Sequence, residues 1–265
     1  MQRPGANGEL SPEEAEAAAT GVKALVPVGR PFLDYVLHSL ADAGIGQVCL
    51  VIGKDHSSLR ERYEGNGKRL DISIAVQEEP RGTADALLAA AAFINSALSN
   101  SVLDSSDNGD FAMLNSDNYY PSDVLRQLQS LKGPGLVAFD RAGVLARGKT
   151  NLSHERMAAF AVVDVEDGEL RGLVEKPDPE TYARFPEPVC VSLNCWRFSP
   201  SILDACRAVK TSPRGELELT DAVLHALERG QRFEVAVSDA AVLDLTSRDD
   251  VGPVRERLAH QEVFF

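Results

Sequence analysis

Charged residues of this chain stand where predicted strands end, and their types suit a phosphorylated ligand. Asp117 comes shortly after the apolar run at 111–114. A carboxylate at the carboxyl end of a strand is well placed for Mg²⁺, a hard cation that takes oxygen ligands and bridges phosphates. Glu175 and Lys176 are adjacent after another apolar run, and they offer one polar ligand two groups of opposite charge. Lys23 precedes a further apolar stretch, where an ammonium group is able to hold a phosphate.

Each of these residues also has a purely structural interpretation. Asp117 suits a turn in which an Asp side chain bonds its own backbone. Lys23 by residue type alone is more often a solvated surface residue. Gly82 and Thr83 open a predicted helix, and as an isolated pattern they indicate only a helix start. The residue types alone leave the function open, so the order of the motifs along the chain has to decide it.

The predicted elements that position these residues alternate between strand and helix in the first half of the chain. Apolar spacing predicts helices at 31–43, 57–63 and 83–98, and strands at 47–53, 72–76 and 111–115. The strand at 47–53 is a continuous apolar run, which is typical of a strand buried on both faces. Strand after helix after strand indicates a parallel sheet. Open sheets of this kind bind ligands at the carboxyl ends of their strands.

The second half of the chain is richer in strands. Strands are predicted at 136–139, 158–165, 170–175 and 189–198, with a turn at Asp167-Gly168. Helices at 200–209 and 217–229, strands at 233–237 and 242–244, and a helix from 248 follow. The composition of residues 1–21 predicts a short polar helix in a surface loop, and 99–109 reads as a solvated loop. This order favours a doubly wound half followed by a strand-rich half.

Composition excludes several classes of function. The 265 residues carry a net charge of −13, which repels nucleic acid and anionic lipid over most of the surface. The sequence has no apolar stretch of 18 residues and no basic-then-apolar signal pattern at its start, so we expect a soluble, cytoplasmic protein without a membrane partner. The four cysteines lie in apolar runs without a C-x-x-C pair, which favours reduced core thiols over a zinc site.

Six segments together resemble the sugar-1-phosphate nucleotidyltransferases, which make nucleoside-diphosphate sugars. Lys23-Ala24-Leu25-Val26-Pro27-Val28-Gly29-Arg30-Pro31 is similar to the second half of the family signature. The later segments follow in the family's order: Gln77 with Gly82-Thr83-Ala84, Asn115-Ser116-Asp117, Leu173-Val174-Glu175-Lys176-Pro177, Ser192 to Phe198, and Val242-Leu243-Asp244. The matches cover most of the chain, with Val22 in place of the family's usual proline and Ser116 in place of its glycine.

The resemblance implies a role for each matching residue. Lys23 and Lys176 are implied to hold the reacting phosphates. The nucleobase is implied to be held by Gln77, Gly82 and Thr83. Asp117 and Asp244 are implied to bind Mg²⁺. Asp117 is also implied to belong to the nucleotide site. Glu175, Lys176 and Asn194 are implied to bind the sugar phosphate. Gln77 suggests a pyrimidine, because an amide pairs with the imide edge of uracil or thymine, and other bases stay open.

The resemblance further implies a single domain over 1–265 with a Rossmann-like α/β fold. Its mostly parallel central sheet would be flanked by helices, with a nucleotide-binding half at 1–134 and a strand-rich sugar-phosphate half at 135–265. The reaction implied is attack of a sugar 1-phosphate oxygen on the α-phosphate of a nucleoside triphosphate, which releases pyrophosphate. The sugar, the base and the oligomeric state stay open, and a homo-oligomer is compatible with the composition.

Two alternatives come from other classes of protein. The sequence contains none of the first half of the family signature, a buried strand followed by Gly-x-Gly-Thr-Arg-Met. This departure favours a non-catalytic sugar-nucleotide-binding or regulatory homologue. The second alternative is a metal-dependent glycosyltransferase, for which Asn115-Ser116-Asp117-Asn118 is a weak relative of an Asp-x-Asp motif. Exchange of radiolabelled pyrophosphate separates nucleotidyl transfer from both.

The opening Met1-Gln2-Arg3-Pro4 reads like the tail of the family's glycine-rich loop, which predicts an internal start. We expect in-frame codons upstream of Met1 for an apolar strand followed by that loop, and poor solubility and no turnover for the 265-residue form. Sequencing the genomic DNA upstream checks this. An in-frame stop immediately upstream, together with a stable chain that makes nucleotide sugar, would contradict the expectation.

Overall fold

A computed structural model describes residues 23–100 and 109–265 of this chain. The helix expected within 1–21 and most of the loop expected at 99–109 lie outside these residues. Eleven α-helices are found in the described part: α1 Phe32–Asp42, α2 Ser57–Tyr63, α3 Thr83–Ala89, α4 Ala91–Asn100, α5 Ser122–Gln129, α6 Arg141–Ala146, α7 His154–Ala158, α8 Pro179–Tyr182, α9 Ile202–Ala208, α10 Leu219–Glu228 and α11 Val251–Leu258. Short 3₁₀ turns occupy Lys23–Leu25 and Arg248–Asp250.

The described strands form three groups: β1 Gln47–Gly53, β2 Asp71–Gln77, β3 Phe111–Met113, β4 Asn118–Tyr119, β5 Gly135–Asp140, β6 Val162–Glu166, β7 Glu169–Val174, β8 Cys190–Phe198, β9 Glu234–Ser238 and β10 Leu243–Asp244. Six of them form a mixed sheet in the order β3-β8-β5-β9-β7-β6. β1 pairs in parallel with β2, and β5 in parallel with β9. β8 is antiparallel to both of its neighbours, β3 and β5. The short strands β4 and β10 form a separate antiparallel pair.

Alternating side chains of the central strands feed two apolar cores on opposite faces of the sheet. In β5, Val137 and Phe139 belong to one buried cluster, whereas Leu136 and Ala138 belong to the other. This period of two follows from the pleat of an extended strand. The first cluster also contains apolar residues of α1, α5 and α11, and the second contains those of α3, α9 and α10. Helices therefore cover both faces, as the predicted α/β class requires.

A cavity of about 1620 Å³ lies against β1 and β3. β1 was expected to be buried on both faces, and this expectation is wrong. Most of its residues are only half-buried, because they line this cavity. β3, predicted as a buried strand at 111–115, is shorter than expected, and none of its three residues is fully buried.

Two further predictions of secondary structure are corrected. The single helix predicted at 83–98 is two helices, α3 and α4, which meet at Ala90 with φ −82° and ψ 0°. The strand predicted at 158–165 starts at Val162, because 154–158 form helix α7. The Ser153 side chain caps α7 by accepting a hydrogen bond from the backbone N–H of Arg156. Apolar spacing over so short a helix does not distinguish it from a strand.

An aromatic cluster inside the second core provides a test of the packing. Trp196 and Phe198 stack with their centroids 5.3 Å apart, and Phe198 meets Phe233 edge-on at 6.2 Å. Phe198→Ala should lower the free energy of unfolding by about 3–5 kcal/mol, since the side chain is fully buried and leaves a cavity. Urea denaturation measures this loss. The control Val237→Thr, at a side chain that is 46% exposed, should change stability by less than about 0.5 kcal/mol. Equal losses in both variants would contradict the packing described.

Candidate active site

The pairing of β4 with β10 brings two distant carboxylates together. Asn118 lies directly opposite Asp244 in this ladder. Beside it, the backbone N–H of Leu245 donates to the backbone carbonyl of Asp117 at 2.8 Å. Asp117, which directly precedes β4, and Asp244, on β10, therefore lie close to each other. This arrangement places the two residues that the resemblance implies as metal ligands at one site.

Lys23 faces Asp117 across the same site. Its ammonium nitrogen Nζ lies 3.5 Å from Oδ2 of Asp117. The lysine side chain is 48% exposed and the carboxylate 28%, so this pair lies at the surface of the cavity and not in the core. A partly solvated ion pair of this kind contributes little to stability. Lys23 is therefore available to an anionic ligand that enters the cavity.

The environment of Asp117 disfavours its charged form. Burial raises the pKa of its carboxyl above the usual 3.8, Lys23 lowers it by less, and the charge of Asp244 raises it further. A carboxylate that is desolvated beside a second carboxylate gains stability from any added positive charge. A cation placed beside Asp117 would therefore stabilise the charged form of its carboxylate.

Asp244 is buried and already has two side-chain partners. Its Oδ2 accepts a hydrogen bond from Nδ2 of Asn118 at 3.1 Å, and its Oδ1 is in an ion pair with Arg156. Arg156 reaches a second carboxylate, Asp250, through its other terminal nitrogen. Asn151 supports this group by bonding the backbone N–H of Asp244 at 2.9 Å. The arginine fixes the orientation of Asp244 and balances part of its charge.

No pattern in the sequence singled out Arg156 and Asn151. They lie between the predicted elements and contact Asp244 across about a third of the chain. No spacing rule connects residues so distant.

The carboxylates suit a divalent cation whose remaining ligands come from elsewhere. Three carboxylates, Asp117, Asp244 and Asp250, face two cationic side chains, Lys23 and Arg156, so negative charge is left over. Within 23–100 and 109–265, no three His, Cys, Asp or Glu side chains are grouped as a closed metal centre. Mg²⁺ usually binds one or two protein carboxylates and takes its other ligands from water and substrate phosphates. The side chains present fit that mode of binding.

Gln77 is held in one orientation at the end of β2. Its Nε2 donates to the backbone carbonyl of Gly82 at 3.1 Å and to Oδ2 of Asp85 at 2.8 Å. Both partners are acceptors, so they fix the amide nitrogen toward the protein and the amide oxygen away from them. Burial opposes the charge of Asp85, yet hydrogen bonds from Gln77 and Arg81 lower the pKa of its carboxyl below the usual 3.8.

Gly82 stands where the chain passes close to another backbone segment. Its φ is +113°, and a Cβ there would lie 2.5 Å from the backbone oxygen of Leu217. The same oxygen accepts the N–H of Ala84 at 2.9 Å. The Thr83 hydroxyl accepts the N–H of Leu219, the first residue of α10. The Gly-Thr-Ala segment therefore joins the start of α3 to the start of α10, in agreement with a helix start.

The residues implied to bind the sugar phosphate lie on the strand-rich half. Glu175 accepts a hydrogen bond from the Thr220 hydroxyl at 2.9 Å, and Lys176 is exposed with φ +45°. Asn194, with φ +59°, lies in an irregular stretch of β8, where three residues of β8 lie opposite one residue of β5 between two paired positions. Its Oδ1 accepts a hydrogen bond from Nε1 of Trp196 at 3.4 Å.

One cavity collects part of the predicted set. Four of these residues line it, namely Lys23, Gln77, Thr83 and Asp117. Gly82, Glu175, Lys176, Asn194 and Asp244 do not belong to its lining. Lys54 and His56, which follow the carboxyl end of β1, line the cavity as well, although no motif in the sequence pointed to them. A search for polar residues just after the carboxyl ends of strands, where open α/β sheets bind ligands, would have found them.

Comparison with known proteins gives consistent matches. A family profile described as nucleotidyl transferase matches residues 18–256. A low-salt glycan biosynthesis nucleotidyltransferase from Haloferax volcanii is 28% identical over 236 residues, which cover 88% of this chain and 58% of the relative. A glucose-1-phosphate thymidylyltransferase from Streptomyces antibioticus is 32% identical over 223 residues, which cover 82% of this chain and 55% of the relative. The chain thus spans a little over half the length of these two curated relatives.

Solved structures agree on the fold. A UDP-glucose pyrophosphorylase complexed with UDP-glucose superposes with a TM-score of 0.68 at 18% identity, covering 91% of each chain. A likeness at this level of identity speaks to the fold alone, and it confirms the Rossmann-like nucleotidyltransferase class. No helix in the described ranges is long and apolar enough to cross a membrane.

The close approach at Gly82 predicts a specific loss of stability. Gly82→Ala combines a positive φ with a clash against the backbone of Leu217, and should cost about 1–3 kcal/mol or more. Gly44→Ala is the matched control, since Gly44 has φ +86° but no atom within 4 Å of the added Cβ. Chemical denaturation should show the larger loss for Gly82→Ala. Equal losses would mean that backbone strain alone explains the effect.

The raised pKa of Asp117 predicts a dependence of stability on pH. The folded chain keeps this proton to higher pH than the unfolded chain, so ionisation of Asp117 costs stability as pH rises above 3.8. Asp117→Asn should therefore gain stability relative to the unmodified protein as the pH rises through the acidic range above 3.8. Urea denaturation across this range measures the difference. Ser116→Ala serves as a control without a titrating group, and a flat difference for Asp117→Asn would contradict the prediction.

Proposed function

This chain belongs to the nucleotidyl transferase family, and we propose that it transfers a nucleotidyl group from a nucleoside triphosphate to a sugar 1-phosphate. The products are a nucleoside-diphosphate sugar and pyrophosphate. The observation that carries this proposal is that Lys23, Gln77 and Asp117 line one cavity. A phosphate-binding cation, a base-binding amide and a carboxylate for a metal ion are the groups that this reaction requires.

The protein's own contribution to the reaction is to position the reactants and neutralise their charge. Lys23 holds the phosphates of the triphosphate, and Lys176 holds the phosphate of the sugar, so that its oxygen attacks the α-phosphate in line. Asp117 and Asp244 would hold Mg²⁺, which supplies further charge neutralisation when bound. Arg156 keeps Asp244 oriented toward this role through their ion pair. Metaphosphate-like transition states need little else from the protein.

The fixed amide of Gln77 favours a uracil or thymine base. Because Gly82 and Asp85 hold its nitrogen, the amide oxygen is the group left to meet the base. An oxygen acceptor pairs with the N–H of an imide edge, which uracil and thymine carry. Gly82, without a side chain, and Thr83 border the same base site. A thymidylyltransferase among the relatives is in keeping with this choice of base.

The sugar side of the proposed site is formed by Glu175, Lys176 and Asn194. Glu175 is oriented by the Thr220 hydroxyl and accepts from sugar hydroxyls, while Lys176 pairs with the phosphate. We assign the nucleotide to residues 1–134 and the sugar phosphate to 135–265. Glucose 1-phosphate is the first sugar to test, since one relative is named for it. The four cysteines are free, which accords with a reduced, cytoplasmic setting.

Pyrophosphate exchange tests the proposed reaction directly. The protein is incubated with Mg²⁺, a panel of nucleoside triphosphates and a panel of sugar 1-phosphates, and release or exchange of labelled pyrophosphate is followed. We expect exchange that depends on both substrates and is fastest with UTP or dTTP. Binding of nucleotide sugar without any exchange would instead indicate a regulatory homologue. Transfer of the sugar to an acceptor would indicate a glycosyltransferase.

Asp117→Asn provides the sharpest test of the site. The amide keeps the shape of the side chain but not its charge, so turnover should fall by orders of magnitude, on the order of 10²–10⁴. Steady-state pyrophosphorolysis of nucleotide sugar measures this, and circular dichroism checks that the fold is intact. The exposed carboxylate of Asp204, on α9, supplies the control Asp204→Asn with unchanged turnover. Near-normal activity of Asp117→Asn at ordinary Mg²⁺ would remove Asp117 from the mechanism.

A further inference from the structure

Arg156, on α7, divides its guanidinium between two buried carboxylates. Its Nη2 pairs with Oδ1 of Asp244 on β10, and its Nη1 pairs with Oδ1 of Asp250, the last residue of the 3₁₀ turn. The side chains of Asp244 and Asp250 are only 5% and 8% exposed, whereas that of Arg156 is 28% exposed. Arginine frequently gives both of its parallel hydrogen bonds to one carboxylate. Here one positive charge serves two negative charges, so the three side chains together stay negative.

Asp250 has its acceptor positions filled by the protein. Its Oδ1 accepts from Arg156 and from Nδ2 of Asn151 at 3.1 Å. Its Oδ2 accepts from the backbone N–H of Ser247 at 2.7 Å and from the Ser247 hydroxyl at 2.8 Å. An ionised carboxylate offers about four acceptor positions, and these bonds occupy all of them. Asp250 is therefore a fixed anchor for the guanidinium and has no position left for a cation.

Asp244 keeps acceptor positions open. Within the described part of the chain, its carboxylate accepts from Arg156 at Oδ1 and from Asn118 at Oδ2, which leaves about two positions for a cation. Its backbone is held separately by Asn151, whose Oδ1 accepts the N–H of Asp244 at 2.9 Å and whose Nδ2 donates to its carbonyl at 2.7 Å. The place of Asp244 in the site therefore does not depend on Arg156 alone.

The division of the guanidinium decides how much positive charge Asp244 meets. If Arg156 gave both terminal nitrogens to Asp244, it would neutralise that carboxylate, and a divalent cation would have to compete with it. The negative charge of Asp250 on the other side of the guanidinium offsets part of the positive charge. Such effects are stronger between buried groups than between exposed ones, because solvent screens buried charges less.

We propose that Asp250 is a positioning residue of the metal site that acts through Arg156: it holds one side of the guanidinium and thereby keeps Asp244 available to a divalent cation. This inference rests on the proposed function, because it takes Asp244 as a metal ligand. Removing the charge of Asp250 while Arg156 stays should weaken metal binding. Removing the charge of Arg156 as well should restore it.

Binding of Mn²⁺ to the full 265-residue chain tests this without any turnover. Mn²⁺ takes the same carboxylate ligands as Mg²⁺, and electron paramagnetic resonance measures its free concentration. Asp250→Asn should raise the Kd for Mn²⁺ by about 10–100-fold, the usual effect of removing a partner that supports a metal ligand. The double variant Arg156→Gln with Asp250→Asn should return the Kd to within about threefold of the unmodified chain, since the two changes are coupled.

Two matched controls separate this role from a structural one. Asp249→Asn removes the same charge from the adjacent exposed position and should leave the Kd unchanged. Ser247→Ala removes the hydroxyl that bonds Asp250 but keeps the carboxylate charge, so it should lower Tm without changing the Kd. Circular dichroism checks that each variant is folded.

The outcomes distinguish this inference from the metal assignment. Weaker binding in Asp250→Asn that recovers in the double variant supports the inference. An unchanged Kd in Asp250→Asn, or a loss that is equally large in the double variant, would overturn it. Asp244→Asn should itself abolish the binding measured here. If it does so while Asp250→Asn has no effect, Asp244 stays a ligand and only the role of Asp250 fails. If Asp244→Asn leaves the Kd unchanged, the metal assignment fails and the inference fails with it.

The dependence of pyrophosphorolysis on Mg²⁺ gives a second readout. Asp250→Asn should raise the Mg²⁺ concentration at half-maximal rate and leave the rate at saturating Mg²⁺ nearly unchanged, because the Asp244 carboxylate itself is intact. A lower saturated rate with the same half-maximal concentration would overturn the proposal.

Discussion

The short ladder between β4 and β10 holds the candidate site together. Only two residue pairs form it, yet it sets Asn118 against Asp244 and fixes the backbone of Asp117 through Leu245. Without this pairing, Asp117 would lie at the end of β3 with no second carboxylate beside it. The local electrostatics follow from it, because the neighbouring charge of Asp244 and the desolvation of Asp117 both depend on how closely the two strands approach. The positive charge of Arg156 then partly neutralises the buried Asp244, and the positive charge of Lys23 partly neutralises the more exposed Asp117.

This balance of charge shows how a chain with a net charge of −13 could receive the anionic substrates proposed for it. Long-range repulsion acts on the whole surface, but it is screened within about 8–10 Å at physiological salt. Lys23 and Lys54 line the cavity, so both can act on the proposed phosphate at short range.

The sequence predicted those features that are local or ordered along the chain. Asp117 and Lys23 could be singled out because each belongs to a short motif next to an apolar run, and Nζ of Lys23 lies 3.5 Å from Oδ2 of Asp117. Arg156 could not be found, since its ion pair with Asp244 spans the space between two elements and leaves no pattern in the sequence. The break at Ala90 was missed because the residues on both sides are good helix formers. The burial of β1 was overestimated because apolar composition reports what a strand prefers, whereas its exposure depends on which strand lies beside it.

The irregular stretch of β8 around Asn194 has a consequence for how this chain can change in length. Across it, β8 contains two residues more than β5 between the same paired positions. Because the excess of two residues is even, side chains of β8 keep alternating between the two faces of the sheet. Val191, Leu193 and Cys195 therefore stay on one face, and Trp196 and Phe198 stay on the other. Loss or gain of a single residue here would turn every later side chain of the strand to the wrong core. This strand can therefore gain or lose residues only two at a time if its later side chains are to stay in their own cores.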